Sequence, residues 1–137
     1  MTNYPQFVFI EEQGPRDGLQ SEKKTVSTEK KVEWIQQSVQ AGIKRIQVAS
    51  FVHPKLVPQM ADADEVINRL DPDNQVLYSG LVLNVKGVER AAKSGLKHIA
   101  ASISASDTHS RRNANAPLDE ARSRITDMIQ TAQTHGL

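Results

Sequence analysis

Apolar positions along the chain alternate between two rhythms. The run "FVFI", Phe7 to Ile10, is short and continuous, the form of a strand covered on both faces. In "TEKKVEWIQQSVQA" the residues Val32, Ile35 and Val39 return at helical spacing, with Ser27 as N-cap and Gly42 as a left-handed stop. Trp34, beside that stripe, reads as a packing residue. "IKRIQVASF" predicts a second strand. "VHPKLVPQ" carries two prolines and reads as a loop, and Ala63, Val66, Ile67 and Leu70 mark a shorter helix closed by "DPDN". "QVLYSGLVL" predicts a third strand, Val88, Ala91 and Ala92 a helix ending at Gly95, and "LKHIAASIS" a fourth strand. A polar loop, "ASDTHSRRNANA", then leads to Pro117 at the start of a last helix striped by Leu118, Ala121, Ile125, Met128, Ile129 and Ala132.

The order βαβαβαβα requires right-handed crossovers and a parallel sheet, so the class is α/β. An open doubly wound sheet and a closed barrel both fit it. A weak repeat is visible: "AGIKRIQ" and "SGLKHIA" each pass from a glycine-capped helix into a strand, and the final "HGL" begins the same way. Leu137 then reads as the first step of a fifth strand, or the glycine as an ordinary helix end.

Composition narrows the partners. The 137 residues include 17 basic and 16 acidic side chains, for a formal net charge of +1. That balance, with no basic run longer than a pair, predicts no nucleic-acid or membrane partner and favours small molecules. The absence of cysteine excludes a disulfide framework and thiolate metal sites. "MTNYPQ" lacks the basic start of a signal peptide, and no apolar run is long enough for a bilayer, so a cytoplasmic location is expected.

Candidate chemistry concentrates in "GPRDGLQ", Gly14 to Gln20. Ligands of α/β sheets collect at the carboxyl ends of strands, where this segment should lie. Asp17 is a hard oxygen ligand suited to Mg²⁺ or Mn²⁺, and the Arg16 fork suits a carboxylate or an oxyanion. Gly14 and Gly18 would let a ligand approach the backbone. On chemistry alone a solvated turn carrying an ion pair fits as well, because Gly, Pro and Asp dominate turns.

"GPRDGLQ", with "ASFVHPKLVPQMADADEV", "LNVKGVERAAKSG" and "SASDTHSRRNAN", resembles the 3-hydroxy-3-methylglutaryl-CoA lyase family of the DRE-TIM metallolyases, from about Val8 to the last residue. The resemblance implies a (β/α)₈ barrel of roughly 250 residues or more, of which this chain supplies four βα units. On that basis residues 1–137 form one partial TIM-barrel domain, the N-terminal half, stopping at the start of a fifth strand. It also implies a metal-dependent retro-Claisen cleavage of a 3-hydroxy-3-methylglutaryl thioester to acetyl-CoA and acetoacetate. In it Arg16 stabilises the enolate and Asp17 binds the divalent metal. Gln20 and Lys23 match positions near the family's substrate. Asn84, Ser106, Arg112 and Asn113 follow the third and fourth strands, on the side of the sheet where substrate or CoA would lie, and their other reading is turn and cap chemistry. Ser50 and His53 follow the second strand, where loop positioning is preferred to a nucleophilic pair.

Two departures qualify the resemblance. The family carries a glutamate where this chain has Gln47 in "IQVASF"; an amide cannot act as a carboxylate base, so activity is weakened, the substrate differs, or Gln47 only hydrogen-bonds in the barrel mouth. The family's remaining metal ligands, a His-x-His pair and an asparagine, and its cysteine-bearing loop, lie in the other half; His53, His98, His109 and His135 form no such pair. The isolated chain is therefore expected to be inactive and to self-associate, or to join a complementary half, through its exposed barrel edges. Two alternatives stand: a half-barrel binding or assembly module without catalysis, and a lyase for another branched 3-hydroxyacyl-CoA.

Overall fold

The structure, a computed structural model, describes residues 4–72 and 75–137. Four strands, β1 (Glu11–Glu12), β2 (Arg45–Ser50), β3 (Leu77–Leu81) and β4 (His98–Ala100), form one sheet in the order β1-β2-β3-β4. All neighbouring pairs are parallel, as the βα alternation requires. Helices α1 (Thr28–Gln40), α2 (Ala63–Asn68) and α3 (Val85–Lys93) fill the crossovers, and α4 (Asp107–Ala114) and α5 (Leu118–Thr134) follow β4.

Local signals place most helix ends. The Ser27 side chain accepts from the Lys30 N–H at the start of α1, and Asn84 accepts from the Gly87 N–H at the start of α3. Gly42 and Gly95 follow these helices at φ 92° and 85°, a region costly to any residue with a Cβ. The core lies between helices and sheet, where Val32 and Ile35 of α1, Ala63 and Val66 of α2, Val88 and Ala91 of α3 and Met128 and Ala132 of α5 meet Ile46, Val48 and Phe51. Leu137 packs against this cluster and is half-buried. The expected "DPDN" stop lies partly outside the described residues.

Four sequence expectations are corrected. "FVFI" is neither strand nor core: Phe7, Val8, Phe9 and Ile10 are 71, 66, 62 and 70% exposed. The reason is register. Arg45, the first residue of β2, stands opposite Glu11, so the sheet has no rung beside positions 7–10. There Phe7 and Phe9 meet edge to face at 5.0 Å, and the Arg45 guanidinium sits 4.2 Å from the Phe9 ring centroid. The loop expected after β4 contains α4. It is polar all round and shows no apolar stripe, but Ser106 caps it, the Asp107–Arg111 pair spans a turn, and Asn115 ends it at φ 49°. Trp34 is exposed at the margin of α1, with Lys30 Nζ 5.8 Å from its ring centroid. Ile129 also points away from the core, half-exposed on α5.

Gly80 of β3 has no room for a Cβ. A Cβ there would stand 2.7 Å from Phe51 Cε2 and 2.9 Å from Leu96 Cδ2, and both side chains are buried. Gly80→Ala is expected to cost about 1–3 kcal/mol through overpacking, read as a lower urea midpoint at unchanged m-value; an unchanged midpoint would show that Phe51 has room to turn aside.

Candidate active site at the carboxyl ends of the strands

Because all four strands are parallel, the segments that follow them gather on one side of the sheet. The segment after β1 is a π-helical turn, Gly14–Gly18, in which the amides of Arg16, Asp17 and Gly18 converge on the Gln13 carbonyl. Neither glycine adopts a positive φ, and a Cβ on Gly18 would meet open space. The turn is thus shaped by Pro15, buried beneath it, and by the short bond from the Gly14 N–H to Glu12 Oε1 at 2.6 Å.

That turn lays the Arg16 side chain across the sheet. Its Nε donates to Oε1 of Gln47, 31 residues away on β2, in a short contact. Nη1 donates to Asp17 Oδ1 at 2.6 Å and Nη2 to Gln13 Oε1 at 3.0 Å. Each terminal nitrogen keeps a second hydrogen for another acceptor. The Arg16 side chain is 15% exposed and that of Asp17 68%, so the cation is held within the site while the carboxylate faces outward. Gln47 is buried on β2, opposite Ser79 of β3, and the register slips at Val48 immediately after it. Such a bulge re-aims side chains at the end of a strand. Ser79, also buried, donates to Glu11 Oε1 at 3.0 Å, tying β3 to β1 across β2. The sequence reading missed Gln13, Glu11 and Ser79; the repeated polar residue in otherwise apolar strands was the available signal.

The other candidates divide by location. Gln20, Asn84 and Asn113 line one cleft of about 980 Å³ between the segments after β1, β3 and β4, with Ser104 and His109 beside them. Gln20 Oε1 is buried there without a hydrogen-bond partner. Asn84 serves as cap of α3, through the bond to Gly87 N at 2.9 Å. Asn113 lies within hydrogen-bond distance of His109 Nε2, at 3.1 Å, and Ser104 Oγ of His109 Nδ1, at 2.7 Å. Ser106 and Arg112 sit on α4, Ser106 as its cap. Ser50 is fully buried at the end of β2 with an unpartnered Oγ, while His53 Nδ1 accepts from the Lys55 N–H, so these two form no nucleophilic pair. Lys23 is exposed and lines neither this cleft nor the smaller one beside Trp34.

The carboxylate at the foot of α4 is held low in pKa. Asp107 lies below the ordinary aspartate range because the Arg111 side chain donates to it and the Leu118 N–H adds a second bond at 2.9 Å. This anchors the start of α5 to α4 and fixes one wall of the cleft.

A divalent cation is implied by the resemblance. Among the described residues no three His, Asp or Glu side chains converge to hold one. Asp17 offers a single carboxylate whose Oδ1 already faces Arg16, so the residues present do not make up a metal site. Among them, too, no helix is long and apolar enough to cross a membrane.

Comparison with known proteins agrees with this geometry. The model of the HMGL-like family matches residues 8–137. The chain is 40% identical over 134 residues to hydroxymethylglutaryl-CoA lyase YngG of Bacillus subtilis, covering 98% of this chain and 45% of that protein. It superposes on the crystal structure of the B. subtilis HMG-CoA lyase with a TM-score of 0.91 at 40% identity, over 98% of this chain and 45% of that one. An HMG-CoA lyase from Acinetobacter baumannii, solved in complex with coenzyme A and 3-methylmalate, gives 0.86 at 33% identity, over 98% and 44%. The chain therefore spans a little under half of these relatives, whose fold is the TIM barrel. With its four parallel βα units and its sequence both matching, the chain belongs to the HMGL-like family.

Proposed function

We propose that residues 1–137 are the N-terminal half of a (β/α)₈ lyase that cleaves 3-hydroxy-3-methylglutaryl-CoA to acetyl-CoA and acetoacetate. The observation that carries this reading is the Arg16 guanidinium, pinned by Gln47 and Gln13 at the carboxyl end of the sheet with donors to spare.

In a retro-Claisen cleavage the tertiary hydroxyl loses its proton and its oxygen becomes a ketone. The carbon–carbon bond breaks, and its electrons pass to the thioester as an enolate, which is then protonated. Charge develops on the thioester oxygen, and oriented N–H donors there lower the barrier. The free hydrogens of Arg16 Nη1 and Nη2 are the donors. Gln47 contributes by holding the fork in one orientation; as an amide it carries no proton in the reaction. Gln20 has an unpartnered oxygen in the cleft, Ser50 has a buried one at the end of β2, and Asn84 and Asn113 line the cleft that would receive acyl-CoA. Lys23 is an exposed cation for a CoA phosphate. Asp17 would supply one carboxylate to a cation completed by the other half of the barrel.

A second reading, cleavage of another branched 3-hydroxyacyl-CoA, is favoured by one observation: the neutral Gln47 beside Arg16 makes the site more positive than a glutamate would, and so suits a substrate with more negative charge nearby.

The test is a fusion of this chain to the portion of the B. subtilis relative that it does not cover. Acetyl-CoA release is expected from the fusion and not from the chain alone. A folded fusion that cleaves no 3-hydroxyacyl-CoA would overturn the proposal; one that prefers a branched acyl group carrying more negative charge would select the second reading.

A further inference from the structure

Three polar side chains after β4 are joined in a line. Ser104 stands in the segment that leaves the strand, and His109 and Asn113 lie one turn apart on α4. Ser104 Oγ is 2.7 Å from His109 Nδ1, and Asn113 Nδ2 is 3.1 Å from His109 Nε2. All three line the cleft shared with Gln20 and Asn84, at the carboxyl ends of the strands. α4 has no apolar stripe, so core packing does not account for the arrangement, which is built wholly within residues 104–113.

The direction of the line follows from the amide. Asn113 Nδ2 carries hydrogens and offers no lone pair, so it donates, and Nε2 must accept. A neutral imidazole then holds its hydrogen on Nδ1, because the bond made by one ring nitrogen sets the state of the other. Nδ1 in turn donates to Ser104 Oγ. A hydroxyl that accepts from the ring cannot give its own hydrogen back to it, so that hydrogen is left for another acceptor. Asn84 is not that acceptor, since its Oδ1 is taken by the Gly87 N–H. Bonds aligned in one sense polarise one another, which strengthens the last donor of the line.

The cleft therefore presents an uncharged, oriented donor at Ser104. Phosphates and carboxylates are met most strongly by cations, whereas a neutral hydroxyl suits a neutral carbonyl. In an acyl-CoA such carbonyls are the thioester, which the reaction assigns to Arg16, and the amides of the pantetheine arm.

We infer that His109 is a positioning residue: held in its Nδ1–H form by Asn113, it turns the Ser104 hydroxyl into the cleft to bind an amide carbonyl of the pantetheine arm. The inference rests on the acyl-CoA reading proposed above. It gives Asn113 a part played through His109, and it leaves the thioester oxygen to Arg16.

Calorimetric titration of the fusion barrel with CoA, which needs no turnover, tests it. Ser104→Ala and His109→Phe are each expected to weaken CoA binding about 3- to 10-fold, the share of one neutral hydrogen bond. The double variant should lose no more than either single one, because both changes remove the same bond. His109→Asn, whose amide can still donate to Ser104, should retain most of the affinity. Adenosine 3′,5′-bisphosphate, which lacks the pantetheine arm, should bind all of these variants as it binds the parent. As a measure independent of affinity, nitrogen-15 spectra of the histidine-labelled fusion, with the His109 signals assigned by their loss in His109→Phe, should place the ring hydrogen on Nδ1. CoA binding unchanged in Ser104→Ala, losses that add in the double variant, an equal loss with the bisphosphate, or a ring hydrogen on Nε2 would overturn the inference. A fusion that shows the expected losses yet cleaves nothing would sink the proposed activity alone, and one that cleaves without them would sink this inference alone.

Discussion

Arg16→Leu, introduced into the fusion barrel, is expected to lower kcat for thioester cleavage by about 10²- to 10³-fold, the usual effect of removing a donor aimed at developing charge. KM should move far less, because the interaction strengthens as the enolate forms. The same change leaves the buried Gln47 oxygen without its partner, which costs about 1–3 kcal/mol. Rate and stability must therefore be read separately, by turnover at saturating substrate and by thermal melting. Arg16→Lys separates charge from geometry: an ammonium keeps the charge but cannot reach Gln47, Asp17 and Gln13 at once, so most of the activity should still be lost. Near-normal kcat in Arg16→Leu would remove the guanidinium from the chemistry altogether.

Lys31→Met should destabilise the chain by about 3 kcal/mol, the low end for breaking a buried ion pair, since the partner retains some water. Lys31 projects from α1 with a side chain only 3% exposed, bonding Asp62 Oδ1 at 2.6 Å and the Gln59 carbonyl at 2.5 Å. Asp62 is 22% exposed and also accepts from Thr28 Oγ1 at 2.8 Å. The lysine thus closes the segment before α2 onto the first helix, and methionine fills its stem volume but leaves the carboxylate and carbonyl unanswered. The double change Lys31→Met/Asp62→Leu should recover most of the loss, because replacing both members of a buried pair with apolar groups is often neutral. Urea unfolding at a single protein concentration checks this, since self-association would otherwise shift the midpoint. A loss below about 1 kcal/mol in Lys31→Met would mean that the pair is solvated in solution.

Neighbouring residues decided how much of this was visible beforehand. Ser27, Gly42 and Gly95 act within a turn or two of their own backbone, and each stands at the helix end its residue type predicted. Lys31 stands in a basic pair with no local mark of burial, and only the approach of Asp62 from a distant segment accounts for it. α4 escaped detection because its stability comes from a cap, an ion pair and the tie between Asp107 and Leu118 rather than from an apolar stripe.

The site divides in the same way. "GPRDGLQ" was legible as candidate chemistry and as a family signature, but whether the Arg16 side chain pointed to solvent or lay across the sheet was not. Gln47, weighed by the residue it replaces, turned out to be the group that orients Arg16, a relation across 31 residues.

The amino-acid sequence by itself determined the βα alternation, the parallel sheet that this alternation compels, most helix ends and the segment that carries the family signature, because periodicity, capping and crossover handedness act over a few residues. The tertiary structure alone decided the rung at which each strand begins to pair, which polar side chains meet across the sheet, and which apolar residues stay in solvent. Phe7–Ile10 shows the reason: a run of apolar residues becomes a buried strand only when neighbouring backbone stands beside it, and β2 begins too late to provide it.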